Sequence, residues 1–111
     1  VEARKIDLSP YPVLADGPEG PESVSVSYEV RKSLVNLLFN PQLQLGGCAL
    51  LEQHELAVKI MDCAEDAILL DQSDYEKLRH ATETFRGFGK NEVELVRRVL
   101  KAPSVPVAEA S

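Results

Sequence analysis

The sequence predicts an α+β fold: a small antiparallel sheet of two or three strands, covered by three or four helices and preceded by an extended Pro-rich N-terminal arm. Three observations carry that expectation. Over residues 22–30, Val24, Val26, Tyr28 and Val30 alternate with Ser23, Ser25, Ser27 and Glu29, the period of two with β-branched side chains that marks a half-buried strand. Residues 49–64 place Leu50, Ala57, Ile60, Met61 and Ala64 on one stripe, as an amphipathic helix requires. Ser73 with Glu76, and Asn91 with Glu94, have the capping-box spacing that opens two further helices.

Taken in chain order, residues 1–21 hold Pro10, Pro12, Pro18 and Pro21 with Gly17 and Gly20, so this stretch cannot be a helix. It reads as an extended arm in which Ile6, Leu8, Tyr11 and Val13 alternate with polar residues or prolines, with a short edge strand over part of its length. A globular domain is expected over 22–102. The strand at 22–30 leads into a short helix with Leu34, Leu37 and Leu38, which ends before Asn40-Pro41. After QLQLGG comes the long helix; AILL at 67–70 is then a third strand or a buried connector. Tyr75, Leu78, Ala81, Thr82 and Phe85 follow at helical spacing up to Gly87, which is expected to cap that helix with Phe88 packing back on it. Val93, Val96, Val99 and Leu100 form the inward stripe of the last helix, and residues 103–111 are a tail set off by Pro103 and Pro106.

The sheet is expected from 22–30 with 4–9 and 67–70, over a core of Val24, Val26, Tyr28, Leu37, Leu50, Ile60, Leu78, Val96 and Val99. Two strands alone would be marginal, so either a third strand or another chain must complete the sheet.

Composition and charge narrow the function classes. The chain has 111 residues, a net charge of −6 and no Trp, with three Phe and three Tyr. This argues against a broad phosphate-binding surface and leaves little aromatic area for base stacking, so nucleic acid is a disfavoured partner. No run approaches the roughly 18 apolar residues of a membrane-spanning helix, so no membrane partner is expected. Cys48 and Cys63 stand at opposite ends of the predicted long helix, about 22 Å apart, too far for a disulfide. Unpaired thiols fit a cytoplasmic protein, or a virion component if the chain is phage-encoded.

No catalytic, metal or cofactor-binding residue is expected. His54 and His80 fall on different helices, without the ligand spacing that zinc needs. The carboxylates Asp62, Glu65, Asp66, Asp71 and Asp74 lack the order of a calcium loop, and Gly87-Phe88-Gly89-Lys90 lacks that of a phosphate loop. Neither cysteine has an adjacent base in sequence.

Two features call for a partner. Ile6, Leu8, Tyr11 and Val13 are apolar side chains on an arm, and such groups need a cover. Residues 77–101 carry Lys77, Arg79, Arg86, Lys90, Arg97, Arg98 and Lys101 against Glu83, Glu92 and Glu94. Arg86, Lys90, Arg97 and Arg98 are the candidate contacts there, for an acidic protein surface such as the arm of a neighbouring copy. The expected function is a non-enzymatic protein–protein interaction or oligomerising subunit of a larger assembly, an accessory or assembly protein such as bacteriophages encode, with another protein or a second copy as partner. The alternative is a small regulatory DNA-binding protein using the C-terminal helix pair. It is weakened because NEVELV puts acidic and apolar groups where base-reading side chains belong.

Overall fold

The structure, a computed structural model, describes residues 2–106 except the side chains of Asp16, Glu22 and Ser23. The elements run β1 (Glu2–Asp7), β2 (Tyr11–Gly17), β3 (Gly20–Tyr28), α1 (Val30–Leu38), α2 (Gly47–Asp62), β4 (Ala67–Leu70), α3 (Gln72–Thr84), α4 (Val93–Leu100) and β5 (Ser104–Pro106), with single 3-10 turns at Pro41–Leu43 and Lys90–Glu92. This is the α+β class the sequence predicts, but its strands form two sheets. One has the antiparallel order β4-β1-β5; the other is the antiparallel hairpin β2-β3.

The expected N-terminal arm is extended but not free: its first half is paired into the larger sheet and its second half is strand β2 of the hairpin. Residues 2–7 are the central strand of the larger sheet, with Ile6 opposite Ile68 in β4 and Ala3 opposite Val105 in β5. The Lys5 N–H donates to the Pro103 carbonyl at 3.0 Å and the Leu8 N–H to the Asp66 carbonyl at 2.6 Å. Ile6 and Leu8 are buried in this chain's own core, so they are not available to a partner. The physical reason lies at the other end of the chain. Residues 104–106, expected as tail, supply the third strand that a two-stranded sheet needs for stability; the rest of that tail, 107–111, lies outside the described residues.

Helices α3 and α4 lie against this sheet and α1 packs on α2 and α3, and all four share one core with Ile6, Leu8 and Leu70 through Leu34, Leu37 and Leu38 of α1, Leu56, Ala57 and Ile60 of α2, Tyr75, Leu78 and Ala81 of α3, and Leu95 and Val99 of α4. Buried polar groups stitch the layers together. The Gln53 amide donates to the Leu38 carbonyl at 3.2 Å, and the Tyr75 hydroxyl to the Val99 carbonyl at 2.8 Å. Arg31 of α1 donates to the carbonyls of Ile60, Cys63 and Glu65, satisfying acceptors that the end of α2 leaves open.

Helix boundaries differ from the spacing-based expectation in instructive ways. The cap of α3 is Asp71, whose Oδ1 accepts from the Asp74 N–H at 2.7 Å, and not Ser73: the strand AILL ends at Leu70, so the chain turns out of the sheet two residues earlier. Ahead of α4, the Gly89 N–H donates to the Glu92 carboxylate at 2.9 Å across the 3-10 turn, in place of an Asn91–Glu94 box. Phe85, in extended backbone, closes α3, while Gly87 takes a positive φ of 124° two residues later. Phe88 does pack back, edge-on to Phe85 with ring centroids 4.8 Å apart.

Of the expected core, Leu37, Ile60, Leu78 and Val99 are buried. Leu50 and Met61 are exposed because the inward stripe of α2 runs through Gln53, Leu56, Ala57 and Ile60. Val24, Tyr28 and Val96 are half-buried and Val26 is 42% exposed. The valines of β3 lie on the hairpin and not in the three-stranded sheet, so their period of two marks a strand face that the core does not cover.

Candidate partner-binding surface on the hairpin

In the hairpin, Tyr11 stands opposite Tyr28, Val13 opposite Val26, and Ala15 opposite Val24. Opposed residues of an antiparallel pair point the same way, so these six form one continuous apolar face. The other face carries Pro12 opposite Ser27 and Leu14 opposite Ser25. The hairpin tip turns between Gly17 and Gly20, and the Gly20 φ of 124° is one that a side chain would strain.

The described contacts between hairpin and body gather near its base. The Tyr11 and Tyr28 rings stack at 4.9 Å, and the Tyr11 hydroxyl donates to the Asn91 carbonyl at 2.7 Å. The Arg98 guanidinium lies 4.9 Å over the Tyr11 ring and donates to the Ser9 carbonyl at 2.6 Å. Burial, aided by the neighbouring Tyr28, pushes the Tyr11 phenol up to about 12; burial also raises Tyr28. Tyr11 is therefore a neutral hydrogen-bond donor at any physiological pH and serves as an anchor. Farther out the hairpin draws the molecule to 56 × 32 × 22 Å, with a radius of gyration of 15.3 Å, against about 13 Å for a compact chain of this length.

The two edges of the hairpin are unlike. Proline has no N–H, so Pro12 fits a ladder position whose main-chain groups point away from β3. The Asn91 amide reaches the Leu14 carbonyl at 3.4 Å from that outer side, which fixes the same orientation two residues on. Alternation along the ladder then turns the N–H and C=O of the opposed Ser25 and Ser27 outward from β3. Among the described residues neither serine has a main-chain hydrogen bond on that side. Both side chains are exposed.

Between β2 and α4 lies an open cleft of about 560 Å³. Pro12, Val13, Leu14 and Val93 give it apolar walls, and Lys90, Glu94 and Arg97 stand on its charged side. Leu14 and Val93 are 50% and 54% exposed.

The structure thus brings together four of the eight residues expected to meet a partner: Tyr11, Val13, Lys90 and Arg97. Arg98 sits at the hairpin base, 12% exposed and paired with Glu94 at 2.9 Å, where it holds the hairpin and does not present charge outward. Arg86 lies elsewhere, its main-chain N–H and C=O both bonded to the Gln42 side chain. Ile6 and Leu8 belong to the core. Sequence reasoning missed Leu14 in the cleft and placed Val93 and Leu100 on the inward stripe of α4, which runs instead through Leu95 and Val99; the alternation Pro12–Leu14 opposite Ser25–Ser27 is the signal that could have placed Leu14.

The charge of the C-terminal helix pair is largely answered by carboxylates. Lys77 lies 3.6 Å from Asp74, Arg79 2.7 Å from Glu83, and Arg97 3.1 Å from Glu94. Cys48 and Cys63 are free thiols in the first turn and at the cap of α2. Among the described residues no cluster of three His, Cys, Asp or Glu could hold a metal ion, and no helix is long and apolar enough to cross a membrane. Comparison with protein-family models, curated proteins and solved structures gives no match.

Proposed function

We propose that the protein is a non-enzymatic protein–protein interaction or oligomerising subunit of a larger assembly, and that the β2–β3 hairpin is the element that engages the partner. One observation carries this reading: an apolar strand face and an open strand edge stand outside the core on the same projecting element. A two-stranded hairpin is marginal in water on its own, and a partner that covers its face supplies the burial the body does not. The local pairing of Arg79, Arg97 and Arg98 with carboxylates favours a protein partner over DNA, because phosphate binding needs cations that are not already neutralised.

Tyr11 and Tyr28 are opposed at the hairpin base, so residues 12–27 can be replaced by Asn-Gly, a two-residue turn suited to joining antiparallel strands. The shortened chain is expected to keep its cooperative thermal unfolding and to lose association, read as mass by light scattering and as co-purification with partners of the full chain. Retained association with the hairpin gone would refute the reading.

A further inference from the structure

We infer that the solvent face of α2 is a docking surface for a basic amphipathic helix of a partner protein. This surface is separate from the hairpin, so the inference goes beyond the proposed function and does not depend on it.

Helix α2 is apolar on two sides. Gln53, Leu56, Ala57 and Ile60 point into the core, where α2 packs chiefly on α1. Leu50, Leu51, Val58 and Met61 lie on the remaining surface; Leu51 is 65% exposed and the other three between 43% and 48%. Apolar side chains exposed singly need no explanation, but a cluster does. Of the ten large apolar side chains exposed among the described residues, these four share one helix. A fifth, Phe39, has its ring centroid 6.4 Å from that of His54 on the same helix.

The spacing selects a helix as the occupant. Leu51, His54, Val58 and Met61 follow one another by three, four and three residues, the a/d seam of a helix pair, and Leu50 widens it. A strand, with its period of two, would match only part of such a seam. From Leu51 to Met61 the seam runs about 15 Å, which about three turns of a partner helix would cover.

Charge selects a basic one. Residues 47–76 hold eight carboxylates and, as their only Lys or Arg, Lys59, a local charge of −7 in a chain whose total is −6. Lys59 is committed to Asp74 at 2.7 Å, and Lys77 of α3 lies 3.6 Å from the same carboxylate. On the α1 side, Arg31 gives its donors to the carbonyls of Ile60, Cys63 and Glu65, and Lys32 lies 3.1 Å from Glu29. Glu55 and Asp62 are exposed, each four residues after a seam residue, Leu51 and Val58, where the flanking positions of a helix pair meet the partner's charges. An acidic rim of this kind attracts Lys and Arg and repels the same face of a second copy, a nucleic acid or an anionic lipid surface.

The probe is a fluorescein-labelled peptide of two heptads with Leu at the a and d positions and Lys at the flanking ones, titrated into the full chain and followed by anisotropy. Two control peptides are a scramble of the same composition and the heptad peptide with Glu for every Lys. The heptad Lys peptide should bind in preference to both. Leu51→Ser with Val58→Ser leaves the charge unchanged and should weaken binding about tenfold or more. Glu55→Lys with Asp62→Lys should transfer the preference to the Glu peptide. All four side chains are exposed, so thermal unfolding of both variants should match the parent. Absence of binding, equal binding of the scramble, undiminished binding by the Ser variant, or an unchanged preference after charge reversal would each overturn the inference. So would a dimeric parent that the Ser variant turns monomeric in light scattering, because a second copy would then be the occupant. The chain with residues 12–27 replaced should bind the peptide as the parent does. Loss of binding there would place the site on the hairpin and overturn the inference, whereas retained peptide binding together with retained association would leave α2 as the docking surface and refute the hairpin reading alone.

Discussion

Arg97 and Arg98 are adjacent in sequence and equal in charge, yet the structure gives them different work, and their substitution separates the two. Arg98 donates to the Ser9 carbonyl at 2.6 Å and to Glu94 at 2.9 Å, covers the Tyr11 ring at 4.9 Å, and is 12% exposed. Loss of a charge-assisted hydrogen bond to a part-buried carbonyl costs about 1.5 kcal/mol. The ring contact adds about 1 kcal/mol and the half-exposed Glu94 pair about 0.5 kcal/mol. Arg98→Ala should therefore destabilise the fold by about 3 kcal/mol, which for a domain near 100 residues lowers Tm by roughly 12 °C. Arg97, with its side chain 66% exposed and paired to Glu94 at 3.1 Å, should cost less than about 0.5 kcal/mol on truncation. Thermal and urea unfolding of the two single variants, in parallel with the parent, measure the difference. An Arg98→Ala chain as stable as the parent, or an Arg97→Ala chain equally damaged, would refute the assignment of Arg98 as the clamp between α4 and the hairpin base.

The buried and projecting leucines of the N-terminal segment should separate in the same way. Leu8→Ala is expected to cost about 2–5 kcal/mol of stability, whereas Leu14→Ser, at a half-exposed site, should change stability by less than about 0.5 kcal/mol and weaken association instead; urea melts and light scattering read the two effects independently. The Tyr11 phenol, raised from 10.0 to about 12, stays protonated in the folded chain where the unfolded chain ionises. Its contribution is complete below pH 10 and is lost as pH rises toward 12, so Tyr11→Phe should flatten the alkaline fall in stability, and a phenolate absorbance titration should show late-ionising tyrosine that disappears in that variant.

The fold class, four helices and the strands near 4–9, 22–30 and 67–70 are legible in the sequence because each is written in local periodicity. What is not legible is which strand pairs with which. Ile6 and Leu8 look like arm residues because their partners, Ile68 and the main chain at Asp66, lie about 60 positions away. The alternation of Val24, Val26 and Tyr28 states that one face wants cover but not that the cover is absent from this chain. Ser73–Glu76 fails as a cap because strand β4 ends at Leu70, a tertiary constraint that overrides a good local motif. On the candidate surface, Tyr11 and Val13 are found by the same alternation and Arg97 by its charge. Arg98, one position on, points the other way around α4 and is taken into the base of the hairpin, a distinction that charge counting does not make.

The topology itself argues that the hairpin is kept for something other than folding. β1 is paired on both sides, by β4 and by β5, and the described core draws on residues 6 and 8 and then on 30–102. The segment between Tyr11 and Tyr28 contributes those two rings to the margin of that core and nothing to its buried interior. It leaves and re-enters the body at opposed positions, so its removal would open no gap in the chain path. Ordering those residues costs about 1–2 kcal/mol each in backbone entropy, offset within the chain by one ladder and by an apolar face that remains half in water. A folding element would be placed where its valines could be buried. Here Val13, Val24 and Val26 are held on a ribbon clamped at its base by Tyr11, Asn91 and Arg98, the placement that the proposed partner-binding role requires.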